Sequence, residues 1–257
     1  MSMAPTIGML YFPGTNCDRE THRVLAILGA TVVRLPSWSV SRAVFDACQA
    51  YIIPGGFSYQ DRIRAGAIAA SLPILDWLRE AVAQHKPVLG ICNGCQILAE
   101  SGILPGTALL PNQRIAAAPA LDDTGFLCEW VFIKPATKKT LFTQFWPDDM
   151  PALPLPINHG EGRFVFDDSN RPDPAFYYCD ATGQPMNLTG TTDNIAGVYT
   201  AAGTVLAMMP HPERASFRYQ LPDAVYNHGA LRDASDTGKL PEAGPFIGIF
   251  HSLLAAV

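Results

Sequence analysis

The run Val88-Leu89-Gly90-Ile91-Cys92-Asn93-Gly94-Cys95-Gln96-Ile97-Leu98 constrains this chain more than any other. An apolar, β-prone segment stops at a cysteine that has glycine two residues away on either side, and a helix-compatible segment follows. This is the pattern of a nucleophile elbow with sulfur in place of oxygen, Gly-x-Cys-x-Gly instead of Gly-x-Ser-x-Gly. A strand that turns sharply into a helix holds its corner residue strained, with the side chain thrust outward. The flanking glycines let neighbouring backbone pass without a Cβ clash. The helix N-terminus favours negative charge on the thiol.

Such a corner needs a strand–helix frame around it, and the first half supplies one. Apolar runs predict strands over Thr6–Phe12, Thr31–Leu35, Ala50–Ile53 and Val88–Ile91. Helices are predicted from Cys17 to Leu28, from an N-cap at Ser71 to Gln84, and over Asn93–Ser101. Pro73 is tolerated in the first turn of the second of these. The alternation implies an α/β fold, a parallel sheet with helices on both faces, whose active sites gather beyond the C-terminal strand ends. The second half is richer in short β-prone runs: Phe126–Ile133, Phe164–Phe166, Phe176–Cys179, Ile195–Tyr199 and Val205–Met209. The Pro-rich stretch Trp146–Pro156 reads as loop, residues 215–244 as a polar excursion, and Phe246–Ala256 as a closing helix.

At 257 residues, 48% hydrophobic and 16% charged, the chain can bury a substantial core. Its formal charge of −5 and the lack of any basic cluster beyond Lys138-Lys139 argue against a nucleic-acid partner. No basic segment followed by an apolar core opens the sequence, so no secretory leader is expected. No apolar run approaches the roughly 18 residues of a membrane span. The expectation is a soluble cytoplasmic protein with no membrane partner. The six cysteines are scattered among apolar neighbours and suit reduced thiols. Cys92 and Cys95 form a C-x-x-C pair. A zinc site would want a second Cys or Cys/His pair at matching spacing, which is missing, so no metal is expected. A thioredoxin-like redox pair remains the competing reading, against Cys95 as a small buried residue one turn into the helix.

A cysteine elbow needs a base, a group to orient that base, and an oxyanion hole. Met208-Met209-Pro210-His211-Pro212-Glu213-Arg214 is a second apolar strand ending in a polar corner. The prolines hold His211 in extended backbone. Glu213, two residues on, can point the same way and fix the imidazole tautomer. Pro54-Gly55-Gly56-Phe57 ends a third strand, and the N–H of Gly56 with that of Asn93 could form the oxyanion hole. Asn158-His159-Gly160-Glu161-Gly162-Arg163-Phe164 is a further polar corner and offers His159 as a competitor for the base. A phosphate loop of the form G-x-x-x-x-G-K-[ST] is absent.

Taken together, Gly-Ile-Cys-Asn-Gly-Cys-Gln-Ile-Leu, Pro-Gly-Gly-Phe-Ser-Tyr, Asn-His-Gly-Glu-Gly-Arg-Phe and Met-Met-Pro-His-Pro-Glu-Arg resemble the class I (triad) glutamine amidotransferases. Within that class they are most similar to the glutaminase subunits of phosphoribosylformylglycinamidine synthases. Phe12-Pro13-Gly14-Thr15-Asn16-Cys17-Asp18, Arg64-Ala65-Gly66-Ala67-Ile68-Ala69 and Asp193-Asn194-Ile195-Ala196-Gly197-Val198 extend the likeness, collinear from Leu10 to Arg214. The resemblance implies a flavodoxin-like three-layer fold with a central, mostly parallel sheet, and a single type 1 amidotransferase domain over residues 1–257. It makes Cys92 the nucleophile, His211 the acid/base and Glu213 its orienting carboxylate. Gly55, Gly56, Phe57, Asn93, Gln96, His159 and Gly160 then fall to the oxyanion hole and the substrate. The implied activity is hydrolysis of glutamine to glutamate and ammonia for C–N ligation in purine biosynthesis. The implied partners are an ATP-dependent synthetase subunit, which would carry ATP and Mg, and a small accessory subunit. No cofactor is expected in this chain. The alternatives are another class I glutaminase subunit, a cysteine hydrolase of similar fold, or a non-catalytic interaction subunit. Two positions depart from the family pattern: Gln60 replaces a usual glycine and Glu129 a usual arginine.

Overall fold

The structure is a computed structural model and describes residues 4–113, 125–136, 139–200, 202–222 and 243–257. In chain order the first half holds β1 (Thr6–Tyr11), α1 (Asp18–Ile27), β2 (Thr31–Pro36), α2 (Arg42–Asp46), β3 (Ala50–Ile53), α3 (Ala67–Ala70), α4 (Ile74–Ala83), β4 (Val88–Ile91) and α5 (Asn93–Glu100). There follow β5 (Thr107–Leu110), β6 (Leu127–Pro135), β7 (Leu153–His159), β8 (Arg163–Phe166), β9 (Asp173–Cys179), β10 (Ile195–Tyr199), β11 (Val205–Met208) and α6 (Ile247–Ala255).

Nine strands form one sheet in the order β2-β1-β3-β4-β11-β10-β9-β6-β7, and β5 with β8 forms a separate antiparallel pair. The first five strands in that order run parallel, and the remaining four continue as an antiparallel extension. The parallel strands β3, β4 and β11 are buried at every residue. That is why they read as unbroken apolar runs rather than alternating ones. The step from β1 to β2 runs opposite to the step from β3 to β4. Right-handed crossovers therefore put α1 on one face and α4 on the other. α6 joins α1, α3 packs on α5, and α2 meets α4 through Phe45 against Trp77 and Arg42 to Glu80.

Two expectations about elements change. Ser71 does not cap the helix after it. It ends α3, with its Oγ donating to the Ile68 carbonyl at 2.8 Å, and α4 starts only at Ile74 behind Pro73. The stretch Trp146–Pro156 is loop only in its first part, because β7 begins at Leu153. Pro154 and Pro156 lie inside β7 opposite Phe132 and Trp130. Proline has no N–H to give a ladder, and β7 can carry two because it closes the sheet as an edge strand. In residues 215–244, Ala215, Ser216 and Phe217 are buried and Gly244 N–H donates to the Ser216 carbonyl at 2.8 Å. Residues 223–242 of that stretch lie outside the described residues.

Candidate active site

β4 hands over to α5 at Cys92, which has φ 50° and ψ −107°. A non-glycine residue there is strained by about 1–3 kcal/mol and persists only where its surroundings overdetermine it. They do so here. The Cys92 N–H donates to the Met208 carbonyl at 2.8 Å, extending the β4–β11 ladder by one rung. The two flanking glycines serve close packing. A Cβ on Gly94 would lie 2.0 Å from the Ile53 carbonyl oxygen, and one on Gly90 2.4 Å from Leu98 Cδ1. Helix α5 thus sits directly on β3 and β4 with its first turn at the thiol. Cys95, one turn in, is fully buried and burial pushes its thiol well up. Its place is that of a small packing residue between α5 and the sheet.

β11 lies beside β4 and leads three residues later into His211, again at a C-terminal strand end. His211 Nδ1 sits 2.6 Å from Glu213 Oε1, with both side chains buried. Burial works against an imidazolium, but the charges of Glu213 and Cys92 outweigh it and hold the His211 pKa well above its usual value. Its Nε2 is buried with no hydrogen bond of good geometry, while the thiols of Cys17 and Cys92 stand near enough to the ring to raise its pKa. A buried, unpaired nitrogen opposite a pair that fixes the ring is what an acid/base histidine needs. The ring is further held from below: a Cβ on Gly55 would lie 2.8 Å from His211 Cε1.

The missed strand β7 completes the corner. The Pro156 carbonyl accepts the His211 N–H at 2.9 Å, and the Asn158 carbonyl lies 3.4 Å from Cys92 Sγ. The antiparallel extension therefore curls back so that its far edge touches the C-terminal ends of β4 and β11.

In front of Cys92 is a cavity of about 120 Å³, and Gly56, Phe57, Gln96, His159 and Gly160 share its lining with Asp61 and Glu161. Phe57 and Phe126, both half-exposed, meet at 5.9 Å at its mouth. Of the residues named from sequence, Gly55 and Asn93 stand behind the cavity. The Gly55 carbonyl accepts the N–H groups of Asn16 and Cys17. The Asn93 side chain is spent on structure: Oδ1 accepts the Ser58 N–H at 3.1 Å, while Nδ2 donates to Asp61 Oδ1 at 3.2 Å and Gln96 Oε1 at 2.9 Å. Gln96 Nε2 in turn donates to the Glu161 carbonyl at 2.7 Å. His159 is not the base of the pair. It is buried with neither ring nitrogen bonded, and burial together with the His211 charge lowers its pKa to about 3, leaving it neutral.

Among the residues at the site that the sequence did not single out for a role are Cys17, Asp61 and Glu161. Their signals were the Thr-Asn-Cys-Asp corner after β1, the carboxylate after Phe-Ser-Tyr, and the one after His-Gly. Ligand atoms of Cys17, His211 and Glu213 lie within 4.8 Å of one another, a donor set that could suit a soft metal ion. Two features oppose one. Burial raises the Cys17 thiol pKa despite the nearby imidazole, whereas thiolate is the ligand form. Arg214 Nη2 also sits 3.2 Å from Cys17 Sγ and puts a positive charge at the spot.

The sequence matches the CobB/CobQ-like glutamine amidotransferase domain over residues 4–250. It is 39% identical to the phosphoribosylformylglycinamidine synthase subunit PurQ of Methanothrix thermoacetophila, over 84% of this chain and 88% of that protein. It is 42% identical to the PurQ subunit of Pyrococcus furiosus, over 81% and 88%. Among solved structures, PurLQS from Thermotoga maritima superposes with a TM-score of 0.77 at 30% identity, covering 99% of both chains. A glutamine amidotransferase from the same organism shares the fold at a TM-score of 0.56 and 15% identity, with 98% and 97% covered. The elbow, the buried His–Glu pair and these relatives agree: the chain belongs to the glutamine amidotransferase family, in the branch of the PurQ subunits.

Proposed function

We propose that this chain is the glutaminase subunit of a phosphoribosylformylglycinamidine synthase, hydrolysing L-glutamine through a thioester on Cys92. The observation that carries the reading is the Cys92 corner, which opens on one side to a cavity and is backed on the other by a buried His211–Glu213 pair. In this mechanism the Cys92 thiolate attacks the side-chain amide carbon. The oxyanion is held by N–H groups at Gly56 and at Asn93, where the first turn of α5 has N–H groups to spare. His211, already protonated, gives its proton to the departing ammonia. The same imidazole then takes a proton from water, which attacks the thioester, releases glutamate and restores the thiolate.

The described residues show no nucleotide-binding loop, so the ammonia is used by an ATP-dependent synthetase partner, on which ATP and Mg reside, alongside a small accessory subunit. The PurLQS likeness at 30% identity supports that assembly. We place the protein in the cytoplasm, a compartment that suits six unpaired thiols. No helix among the described residues is long and apolar enough to cross a membrane. The test is ammonia release from glutamine by the full chain with its synthetase. The native chain releases ammonia and Cys92→Ala, still folded, does not. Turnover at the native rate in Cys92→Ala overturns the assignment.

A further inference from the structure

Beside His211 lies a buried thiol that the thioester chemistry does not use and that takes no part in lining the cavity. Cys17 stands at the corner between β1 and α1. Its N–H donates to the Gly55 carbonyl at 3.1 Å, and its carbonyl accepts the Thr21 hydroxyl at 2.8 Å. The thiol donates to Asn16 Oδ1 at 3.2 Å and accepts from Arg214 Nη2 at 3.2 Å. Its sulfur also lies within 4.8 Å of ligand atoms of both His211 and Glu213. One small side chain therefore touches a guanidinium and borders the His–Glu pair.

That pair has an exposed flank in the chemical sense. Glu213 is fully buried and gives Oε1 to His211, while its Oε2 has no hydrogen-bond partner. A buried carboxylate oxygen with nothing to accept is costly and attracts a cation. Arg214, the next residue, carries one that never titrates away. Arginine and carboxylate form strong, often two-pronged pairs. Yet the guanidinium is turned to Cys17 and to Glu20 Oε1, the latter at 3.5 Å. Paired with Glu213, it would share the charge that holds the proton on His211.

We infer that Cys17 is a positioning residue whose thiol fills the room beside Glu213 and keeps the Arg214 guanidinium off that carboxylate, so that Glu213 serves His211 alone. This rests on the glutaminase reading and adds to it the support behind the imidazole. A thiol suits the place. Burial raises its pKa and keeps it neutral, so it neither competes with Glu213 nor repels the imidazolium. The charged and titratable groups that face His211 are Glu213 on its own corner, Cys17 before α1, Cys92 at the elbow and the neutral His159 from β7. Arg214 and, through it, Glu20 of α1 stand beyond the thiol.

The test is the pH profile of kcat/KM for glutamine, read as glutamate formed by the full chain with its synthetase. In Cys17→Ala the guanidinium reaches Glu213, and the alkaline limb moves to lower pH by about 1 unit or more. Adding Arg214→Met removes the cation and returns the limb to its native place. Cys17→Ser keeps a side chain that accepts from Arg214, and its limb stays. A merely structural role would lower the rate at every pH with the limb in place, and Arg214→Met would not repair it, which overturns the inference. If Cys17→Ala fails to fold, Arg214→Met alone decides: with the guanidinium already held off, its limb stays. A limb that rises there shows Arg214 already drawing on Glu213 and overturns the inference. The His211 ring resonance, titrated by NMR in the full chain, moves as the limb does and needs no substrate. Its expected shift in Cys17→Ala, without glutamate formed by any form of the protein, rejects the glutaminase and keeps the role of Cys17. Glutamate formed with limb and resonance unmoved in Cys17→Ala rejects that role alone.

Discussion

Glu213 raises the pKa of His211, and in the proposed mechanism His211 sets the fate of the leaving ammonia. Their 2.6 Å contact lies in a buried place, where the carboxylate outweighs the burial that would strip the imidazole of its proton. An imidazole that keeps its proton above its ordinary range serves as an acid at neutral pH. Removing the negative charge lets burial prevail and lowers the His211 pKa. In Glu213→Gln the alkaline limb of the kcat/KM profile therefore moves to lower pH, and kcat falls about 10²–10⁴-fold. An alkaline limb that stays in place shows that Glu213 does not govern the proton. His159 differs from its neighbour by lacking such a carboxylate, and the same burial leaves it neutral. Two histidines in similar sequence settings thus have opposite charge states for a reason of contact.

The elbow works because β3, β4 and α5 are packed with no space for a Cβ between them. In Gly94→Ala, the helix propensity of alanine favours the variant by about 1 kcal/mol, but the new Cβ meets a backbone carbonyl 2.0 Å away that cannot turn aside. Overpacking costs about 1–3 kcal/mol and occasionally more, and a contact this short against backbone sits at the top of that range, so a net loss of about 2 kcal/mol remains. The melting temperature is expected to fall by about 2–4 °C or more, and glutaminase activity with it, because Cys92 rides on the same turn. A rise in melting temperature, as propensity alone gives, contradicts this packing.

The central strands were legible because burial on both faces writes them as plain apolar runs, and the bounds of parallel β3 and β4 and of antiparallel β10 match expectation residue for residue. Cys92, His211 and Glu213 were legible for a related reason, as polar residues that interrupt such runs. β7 was not, because two prolines inside it carry the signal of a loop. Only its place at the sheet edge, a property of the whole topology, makes them harmless. That one omission hid the Pro156 and Asn158 carbonyls that hold His211 and Cys92. Asp61 and Glu161 were hidden too, since 100 residues separate two carboxylates that only the fold brings to one cavity. Ser71 misled for a local reason: a serine before a helix reads as its cap, whereas here it closes the preceding turn.

The chain as a whole makes ammonia at the C-terminal ends of its sheet, behind a mouth framed by the exposed rings of Phe57 and Phe126. Ammonia released without a consumer is wasted, so the glutaminase is expected to be slow alone. Adding the synthetase subunit should raise kcat/KM for glutamine by about 5–150-fold, the usual range of coupling between two sites. Equal rates with and without the synthetase contradict gating by the partner.

The account stands most directly on a covalent bond between substrate and one of six cysteines. Full chain with synthetase, mixed with glutamine, quenched in acid during turnover and digested for mass spectrometry, is expected to carry a γ-glutamyl group on Cys92. Cys17, close to the same histidine, and Cys95, one turn away, should carry none. Steady ammonia release with no glutamyl adduct on Cys92, or with the adduct on another cysteine, contradicts the account.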